Sequence, residues 1–492
     1  MIELHIENIT THIEGYQNYP DFSSLYIVLR QRMSFRPEGY YFTPMYRSKR
    51  WDGWKRLIWK NQKQCYFPTG LFSIVKDFFQ EQNIPIQIID HRIKPTPTIF
   101  FTMSEKKKLR DYQQRIVTAA VEKSRGIIQS PTGSGKSITA AGIINACSAS
   151  PFLILVTSID LLEQMKDHLE ESLLENGKNI RVGRIGGGEF DIREITVMTV
   201  QTAVRALGKK FVKFDSDQQS AKDGSVLKKY RKEIVDLIHG AKGVIGDETQ
   251  HWKSDMCQIV TNNMFSAFYR WGASATPYRD QGDDLLIQSC FGKKICEIKA
   301  SELIEKGYLV QPHITFVHVN PPPTKYKNWQ NIYKEQVVEN EYYNSLIANI
   351  AEEYVKRDRT ILILVQQIEH GKTLESMIEG SLFVHGESSK KERLSALQRL
   401  RNKYINCLIS TSLFDEGIDC CPLNTLLLAG GGKSPTRAMQ RIGRVMRLYE
   451  GKESATVIDF YIHEKYLEDH AKAREKMYKT EPKYVVRHKF ID

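Results

Sequence analysis

A short glycine-containing segment between an apolar run and a helix-like stretch constrains the fold of this chain most. The apolar run is 126–128, the segment is Ser130-Pro-Thr-Gly-Ser-Gly-Lys-Ser137, and the helix-like stretch is 138–146. Glycines let backbone N–H groups face phosphate oxygens, and the start of the helix favours their negative charge. The usual pattern begins with glycine, where this chain has Ser130. The order strand, loop, helix predicts a phosphate-binding loop in a parallel α/β domain.

The residues of this loop have separate expected roles in binding ATP. Lys136 is expected to reach the β- and γ-phosphates, and the Ser137 hydroxyl is expected to hold Mg²⁺. The other loop residues are expected to cradle the phosphates: Pro131, Thr132, Gly133, Ser134 and Gly135.

Two carboxylates end a second apolar run, 243–246. Asp247 is expected to bind Mg²⁺ and Glu248 to polarise the attacking water, which are the two tasks of a nucleotide hydrolase. Alone, such a pair is more often a solvated turn. Because it follows a phosphate-binding loop, it indicates nucleotide hydrolysis here.

Apolar runs alternate with helical stretches twice along the chain, which predicts two tandem α/β domains with parallel sheets. A smaller α+β domain precedes them, with β-like runs at 26–29 and 57–59 and a helix at 71–79. A linker with two prolines lies within 91–105, and the Lys-rich segment 209–232 is expected to be an insertion or a surface loop of the first α/β domain. The predicted domains are 1–95, 96–300 and 301–462, followed by a basic helical tail, 463–492.

The charge balance predicts a polyanionic partner. The chain has 70 Lys and Arg against 58 Asp and Glu, a formal net charge of +12. Nucleic acid is the first candidate and an anionic membrane the second. The eight cysteines show no CxxC spacing, and no apolar run approaches the length of a membrane span. We therefore expect reduced thiols and a cytoplasmic protein.

Cations and aromatic residues alternate near the N-terminus. Residues 30–63 hold ten Lys and Arg against two acidic residues, with eight aromatic residues between them. Cations neutralise phosphates, and aromatic faces stack on unpaired bases. Any single aromatic residue is more often part of a core, so the predicted nucleic-acid contacts are the cations Arg47, Lys49, Arg50 and Arg56.

Several segments in order resemble the motifs of the superfamily 2 helicases, which implies that the two α/β domains are RecA-like. The segments are 109–113, 156–164, 197–202, 247–250, 274–277, 416–419 and 440–447, the last of which resembles motif VI. The resemblance implies that Arg110 and Gln113 contact adenine, that Gly417 and Asp419 help to bind the nucleotide, and that Ser274 and Thr276 couple ATP state to domain closure. It implies that Gln440, Arg444 and Arg447 complete the ATP site between two lobes, and that the nucleic-acid backbone meets Thr157, Gln164, Thr199, Gln201 and Thr202. Gln250 stands where the family commonly has His or Asp, and it is expected to hydrogen-bond Ser274 and Thr276.

Within this superfamily the chain resembles the XPB group and, more closely, the phage UvsW-type helicases. The resemblance is carried by Gly272-Ala-Ser-Ala-Thr-Pro-Tyr-Arg-Asp280, by 302–310, and by the N-terminal segments 35–44, 51–57 and 67–71. It implies an ATP- and Mg²⁺-dependent DNA helicase that migrates Holliday junctions, regresses forks and unwinds duplexes or R-loops. Its implied partners are branched or forked DNA, single-stranded DNA and RNA–DNA hybrids, and its implied location is the cytoplasm of an infected bacterial host. It would act as a monomer or with a single-strand-binding protein.

Three alternatives remain open from the sequence. They are an RNA helicase, the motor of a restriction system, and a repair scaffold that has lost motor activity. RNA and DNA motors both grip a phosphate backbone, so the motor motifs do not separate them. Intact Lys136 and Glu248 argue against the scaffold.

Overall fold

The structure, a computed structural model, describes residues 1–37, 39–208, 217–249, 252, 254–275, 284–411 and 423–491. It divides into two compact units. The first contains residues 1–130 and 135–297, and the second contains residues 131–134 and 298–492.

The first unit begins with a small α+β subdomain. Its elements are β1 (Ile2–Ile6), β2 (Thr10–Glu14), α1 (Phe22–Arg32), β3 (Ser34–Phe35), α2 (Pro44–Arg47), β4 (Lys55–Arg56), β5 (Trp59–Lys60), β6 (Cys65–Pro68), α3 (Phe72–Glu81) and β7 (Ile86–Asp90). Five strands form one sheet in the order β5-β6-β2-β1-β7, in which only β1 and β7 pair in parallel. Alternate residues of β1 are buried, so one face of the sheet covers the core of the subdomain.

The predicted β-like run at 26–29 is wrong, because these residues lie within α1. Phe22 and Leu29 are buried, as helical spacing along one face allows, while Ile27 is 58% exposed. The β-branched residues that suggested a strand therefore lie on the solvent side of a helix. The run at 57–59 is interrupted, since residues 57 and 58 separate β4 from β5.

The α/β domain of the first unit follows. Its elements are β8 (Phe101–Met103), α4 (Asp111–Lys123), β9 (Arg125–Gln129), α5 (Lys136–Cys147), β10 (Phe152–Val156), α6 (Ile159–Ser172), β11 (Leu173–Glu175), β12 (Lys178–Asn179), β13 (Gly183–Gly186), β14 (Glu189–Asp191), β15 (Ile195–Thr199), α7 (Val200–Ala206), α8 (Asp217–Gly240), β16 (Gly243–Asp247), α9 (Ser254–Thr261), β17 (Tyr269–Ser274), α10 (Asp284–Phe291) and β18 (Lys294–Glu297). Eight strands form a sheet in the order β14-β13-β15-β10-β16-β17-β9-β18, parallel except for β14 at one edge. All five residues of β10, β15 and β16 are buried, as expected for parallel strands covered on both faces.

The predicted surface loop at 209–232 is partly wrong. Residues 209–216 lie outside the described part of the chain, and residues from 217 onward belong to α8. Val226, Ile234 and Ile238 of this helix are buried in the core of the α/β domain. Lysines between these apolar positions made the segment look like a loop in the sequence.

The N-terminal subdomain packs directly on the α/β domain within the first unit. Leu286 of α10 belongs to the hydrophobic core of the subdomain. A Cβ atom on Gly70 would lie 2.1 Å from the Gln288 carbonyl oxygen, so only glycine allows this approach. Asn8 Nδ2 also donates to the Phe265 carbonyl oxygen at 2.9 Å. The subdomain is therefore held on the α/β domain by packing and hydrogen bonds.

The second unit is another parallel α/β domain. Its elements are α11 (Ala300–Glu305), β19 (Gln311–Val319), α12 (Trp329–Tyr333), α13 (Glu341–Lys356), β20 (Ile361–Leu364), α14 (Ile368–Met377), β21 (Ser381–Val384), α15 (Lys390–Arg401), β22 (Cys407–Ser410), β23 (Thr425–Leu428), α16 (Pro435–Val445), β24 (Ser454–Ile462), α17 (Leu467–Tyr478) and β25 (Val485–Phe490). Its seven strands pair in parallel in the order β21-β22-β20-β23-β24-β19-β25. The predicted fold class, two parallel-sheet domains and a small α+β domain, is confirmed.

The segment 463–492, predicted as a separate helical tail, supplies α17 and β25. The strand β25 pairs with β19 and extends the sheet. In the described residues, Cys65, Cys147, Cys257, Cys290, Cys296 and Cys407 are free thiols. None of the helices described is long and apolar enough to cross a bilayer.

A buried ion pair fastens α17 to this sheet. Arg474 donates through Nε and Nη2 to the two carboxylate oxygens of Asp459 at 2.9 and 2.8 Å, and the Tyr478 hydroxyl donates to the same carboxylate at 2.9 Å. The side chains of Arg474 and Asp459 are 3% and 0% exposed. Both hydrogen-bonding edges of the carboxylate are therefore satisfied inside the domain.

Replacing Arg474 with Met should destabilise the second unit by roughly 3 to 5 kcal/mol, because the buried Asp459 carboxylate loses its cation. Native-state amide hydrogen exchange of β24 in the full chain measures this loss. Lys472→Met on the same helix is the matched control, since the Lys472–Glu468 pair is solvent-exposed, and its exchange rates should not change. Equal protection in the two variants would contradict the prediction.

Candidate functional site

The phosphate-binding loop lies between β9 and α5. Gly133 and Gly135 have φ angles of +86° and +74°, in the left-handed region that favours glycine. A Cβ atom on Gly135 would lie 2.7 Å from Gln113 Nε2. The loop can therefore take this shape only with glycine at Gly135, and Lys136 begins the helix that follows.

Gln113 connects the predicted adenine motif to this loop. Its side-chain Nε2 donates to the Gly135 carbonyl oxygen at 3.3 Å, and its Oε1 accepts from the Arg110 backbone N–H at 2.9 Å. Gln113 is 2% exposed. The Gln113 side chain thus connects the Arg110 backbone to the loop, and contact of these two residues with adenine stays a prediction.

Parallel pairing brings three strand ends together at the loop. The strand β17 lies between β9 and β16, and the Ser130 backbone N–H donates to the Ser274 carbonyl oxygen at 3.0 Å. Asp247 ends β16. The phosphate loop, Ser274 and the Asp247–Glu248 pair therefore meet at the carboxyl edge of one sheet, where ligands of open α/β sheets bind.

Lys136 and Glu248 form an ion pair across this edge. Lys136 Nζ lies 2.6 Å from Glu248 Oε1, and the side chains are 14% and 19% exposed. Glu248 has a φ of +46°, an unfavourable conformation for a residue with a side chain. Such backbone strain is typical of functional sites.

Asp247 is a buried carboxyl group with spare hydrogen-bonding capacity. It is 6% exposed, and its Oδ1 has no hydrogen-bond partner within the part of the chain described. Burial, followed by the nearby Glu248 carboxylate, raises the pKa of Asp247 to about 6, while Lys136 opposes the rise. A divalent cation would satisfy this oxygen and stabilise its charge, so Asp247 fits the predicted role in holding Mg²⁺. Ser137 lies in the first turn of α5, where that role places it.

The second unit carries the predicted arginines on and just after α16. Gln440 and Arg444 lie within this helix, and Arg447 lies two residues beyond it. Gln440 is 5% exposed, and among the described residues neither Nε2 nor Oε1 of its amide has a partner. A buried amide without hydrogen-bond partners destabilises the folded protein. The Gln440 side chain therefore indicates a ligand that both donates and accepts hydrogen bonds.

Four predicted residues lie outside the described part of the chain. They are Gln250, Thr276, Gly417 and Asp419.

The predicted backbone contacts cluster around the start of α7. Gln201 Nε2 donates to the Thr157 carbonyl oxygen at 2.7 Å, which joins two motifs that lie far apart in the sequence. Thr157 Oγ1 and Gln201 Oε1 are buried and have no partner among the residues described. Gln164 lies half-buried on α6.

The structure contradicts a direct nucleic-acid contact by the Thr202 side chain. Thr202 is 0% exposed, and its hydroxyl lies 2.8 Å from the Thr199 hydroxyl. Thr199 also caps α7 by accepting from the Thr202 backbone N–H. Local capping competes for such hydroxyl groups, so these two threonines shape the start of the helix.

The N-terminal subdomain exposes cations and rings together. Arg47, Lys49 and Arg50 are exposed. Arg56 differs, because it forms a two-point ion pair with Asp52 and lowers the pKa of that carboxyl to about 2. Its charge is therefore already neutralised, which makes Arg56 a poor candidate for phosphate contact.

The expectation that the aromatic residues form the core of the subdomain is wrong for most of them. Tyr41, Phe42, Trp54 and Trp59 are 51%, 63%, 38% and 42% exposed, whereas Phe35 is buried. Arg36, which sequence reasoning missed, lies 5.0 Å from the Tyr40 ring centre and 4.8 Å from that of Trp54. An arginine four residues before a run of aromatic residues was the available signal. We call seven of the exposed residues the basic aromatic surface: Arg36, Tyr41, Phe42, Arg47, Lys49, Arg50 and Trp54.

Three family models match the chain in the order of the predicted domains. The N-terminal domain of the DNA helicase UvsW matches residues 9–89, the res subunit of type III restriction enzymes matches residues 106–279, and the helicase conserved C-terminal domain matches residues 343–449. The chain therefore carries, in order, the domains of a superfamily 2 helicase. Its N-terminal subdomain is of the UvsW type.

Relatives of this helicase extend over most of its length. The ATP-dependent DNA helicase uvsW of Enterobacteria phage T4 is 24% identical over 490 residues, covering 93% of this chain and 89% of the relative. The DNA 3'-5' translocase XPB2 of Sulfurisphaera tokodaii is 25% identical over 437 residues, covering 80% and 90%. A structure assigned to the HsdR subunit of a type I restriction enzyme from Vibrio vulnificus shares the fold, with a TM-score of 0.54, 18% identity, and coverage of 78% of this chain and 68% of that one. The helicase domains and these similar proteins make the chain an ATP-dependent helicase.

Acid should inhibit ATP hydrolysis by this helicase through Asp247. The raised pKa of Asp247 means that this carboxyl is charged above about pH 6 and mostly protonated at pH 5, where it no longer attracts a divalent cation. We expect kcat/KM for ATP to fall about tenfold per pH unit below the apparent pKa of the free enzyme.

The same raised pKa has the opposite effect on folding. The protonated carboxyl stabilises the fold at low pH, and that contribution is lost as the pH rises through about 6. The acid loss of activity should therefore occur without unfolding, as circular dichroism at each pH can test. A profile that stays flat from pH 7 to pH 5 would contradict the assignment to Asp247.

Proposed function

We propose that this helicase moves on DNA at the expense of ATP and remodels branched DNA. Its reactions would be junction migration, fork regression and the unwinding of duplexes or R-loops in recombination, repair and replication, in the cytoplasm of a bacterial host. The named activities of the T4 and Sulfurisphaera relatives support DNA as the substrate. The proposal for branched DNA rests on one juxtaposition: a basic aromatic surface on a subdomain that is packed on the ATP-binding domain.

The residues at the carboxyl edge of the first sheet would carry out hydrolysis. Lys136 would bind the β- and γ-phosphates, and in that state it would release Glu248, which it pairs with at 2.6 Å. Glu248 would then be free to orient and deprotonate the attacking water. Asp247 and Ser137 would hold Mg²⁺, which when bound neutralises charge on the phosphate oxygens.

The residues of motif VI would stabilise the charge that develops during hydrolysis. Arg444 and Arg447 would act as guanidinium donors to the γ-phosphate, and the Gln440 amide would satisfy its buried donor and acceptor there. Gly417, Asp419, Gln250 and Thr276 keep the roles that the resemblance implies. Ser274, hydrogen-bonded through its carbonyl oxygen to the phosphate loop, would sense the state of the nucleotide.

Movement would depend on contacts to the phosphate backbone. Thr157 and Gln201 each have a buried oxygen without a partner among the described residues, and a nucleic-acid strand or its bound water would supply one. Such contacts carry little information about base sequence. We therefore expect weak sequence specificity and a steep dependence on salt.

The basic aromatic surface would select branched substrates. At a branch point, unpaired bases and duplex phosphates lie close together. Exposed rings such as Phe42 and Trp54 can stack on the bases, worth about 1 to 3 kcal/mol per base, while nearby cations bind the phosphates. Because this subdomain is packed on the ATP-binding domain, binding at a branch would place the motor beside it.

Lys136→Ala should abolish ATP hydrolysis and strand displacement, since the phosphates lose their cation. Both activities are to be measured with no nucleic acid, linear duplex, a fork, a four-way junction, an R-loop and structured RNA. Branched DNA should stimulate the unaltered enzyme most. Lys166→Ala is the matched control, because Lys166 pairs with Glu170 on α6, and it should keep both activities.

The other outcomes distinguish the remaining candidates. Best stimulation by RNA would favour an RNA helicase. Stimulation by linear duplex alone would favour the motor of a restriction system. An unaltered enzyme that binds branched DNA without hydrolysing ATP would favour a scaffold.

Charge and ring substitutions in the basic aromatic surface should have separable effects. Replacing Arg47, Lys49 and Arg50 together with Ala should weaken binding to every DNA and reduce the salt slope by about 3, one for each lost phosphate contact. Phe42→Ala should lower the preference for junctions over duplex while leaving the salt slope unchanged. Fluorescence anisotropy with labelled junction and duplex at several salt concentrations measures both.

The matched control for the charge change is the exposed cation set Lys356, Arg357 and Lys403 in the second unit, whose side chains are 77%, 62% and 53% exposed. Replacing all three with Ala removes the same charge. Equal loss of DNA binding in the two triple variants would contradict a specific role for the N-terminal surface.

A further inference from the structure

The helix that carries motif VI follows a segment that has little stiffness of its own. Residues 429–434, between β23 and α16, read Ala-Gly-Gly-Gly-Lys-Ser. Glycine loses more conformational entropy on folding than any other residue, so three in a row leave the start of a helix poorly defined. Gly431 has a φ of +54°, which glycine adopts at little cost. Within this segment the Gly430 N–H donates to the Leu364 carbonyl oxygen at 2.9 Å, and Ser434 caps α16. Side chains from elsewhere in the second unit add further bonds to it.

Three buried side chains each donate to a different carbonyl oxygen of the segment. The Tyr343 hydroxyl donates to Ala429 at 2.8 Å, the Tyr333 hydroxyl donates to Gly430 at 3.0 Å, and Arg474 Nη1 donates to Gly432 at 2.7 Å. These donors lie on α13, α12 and α17. Each of the three residues is at most 2% exposed, so water does not compete for these bonds.

A fourth side chain holds the other end of α16. Lys452 Nζ donates to the carbonyl oxygens of Val445 and Arg447, the latter at 3.1 Å, and to that of Leu423 at 2.6 Å. A cation at a helix C-terminus satisfies carbonyl groups that lack a partner in the helix and interacts favourably with its dipole. Both ends of α16 are thus fixed by donors to backbone oxygens. We name Tyr333, Tyr343, Arg474 and Lys452 the carbonyl clamp.

We propose that the carbonyl clamp consists of positioning residues for ATP hydrolysis, which hold α16 so that Gln440, Arg444 and Arg447 meet the nucleotide in productive geometry. This inference rests on the function proposed above for motif VI. A donor to a developing charge must be placed within about 0.5 Å, and a misplacement of 1 Å can cost roughly a hundredfold in rate. The carbonyl clamp places α16 with this precision, which the glycines of the segment 429–434 cannot do.

Arg474 is unsuited to test positioning, since its loss breaks the buried pair with Asp459. The tyrosines allow a cleaner test, because Tyr→Phe keeps the ring and removes only the donor. A merely structural role predicts a loss of folded protein. A positioning role predicts a loss of kcat in protein that remains folded.

The decisive variant is Tyr333→Phe with Tyr343→Phe in the full chain, assayed for DNA-stimulated ATP hydrolysis. We expect kcat to fall about tenfold or more, while KM for ATP changes less than about threefold, since the lost precision acts in the transition state. Affinity for ADP should stay the same, and affinity for ADP with aluminium fluoride should fall in proportion to kcat. Lys452→Met should reproduce the same pattern from the other end of α16.

Tyr466→Phe is the matched control. The Tyr466 hydroxyl also donates to a backbone carbonyl of the second unit, that of Lys327 at 3.3 Å, away from the segment 429–434. Its kcat should match that of the unaltered enzyme. Amide hydrogen exchange of β23 and β24 in all variants reports whether the unit stays folded.

Two results would overturn the inference about the clamp. One is a kcat in the double tyrosine variant equal to that of the control, and the other is a loss of kcat matched by a loss of hydrogen-exchange protection. If the unaltered enzyme hydrolyses ATP and Arg444→Ala abolishes hydrolysis, the role proposed for motif VI stands whichever way the tyrosine test goes. An unaltered enzyme without hydrolysis would overturn both proposals.

Discussion

The parallel pairing of β9 with β17, and of β17 with β16, determines where the chemical groups of the first unit lie. Parallel strands end at the same edge of a sheet, so residues about 110 positions apart in the chain come into contact there. The Lys136–Glu248 ion pair is the direct result. In the proposed function, Lys136 would exchange this carboxylate for the phosphates of ATP. Substrate binding and activation of the attacking water would then be linked through one side chain.

The parts of the fold that follow from local pattern could be predicted from the sequence. Fully buried parallel strands are continuous apolar runs, and β16 covers the apolar run at 243–246. The pattern failed where tertiary packing decides which side of an element is buried. In α1, Ile27 looks like a strand residue but lies on the solvent side of a helix. In α8, the alternation of lysines with apolar residues hid a helix that packs into the core.

In the candidate site, too, local motifs could be predicted from the sequence, whereas contacts between distant side chains could not. Lys136 and Gln113 belong to contiguous motifs, and the structure brings the Gln113 side chain to Gly135, the residue before Lys136. Pairing between side chains is not readable from one sequence, so neutralisation of Arg56 by Asp52 was missed. The burial of Thr202 was missed for the same reason. The clamp around α16 was also out of reach, since its members come from three helices and a loop that are separate in the chain.

The position of β9 within its sheet has a consequence for how the protein is made. Its two neighbours, β17 and β18, lie far downstream, and β18 ends roughly 170 residues after β9. A ribosome adding about 5 to 20 residues per second needs roughly 10 to 30 s to synthesise that length. For that time an apolar strand and its glycine loop have no partner strands in the sheet. The ATP-binding half of this enzyme therefore exposes an apolar strand while the chain is being made, and chaperones would protect it at that stage.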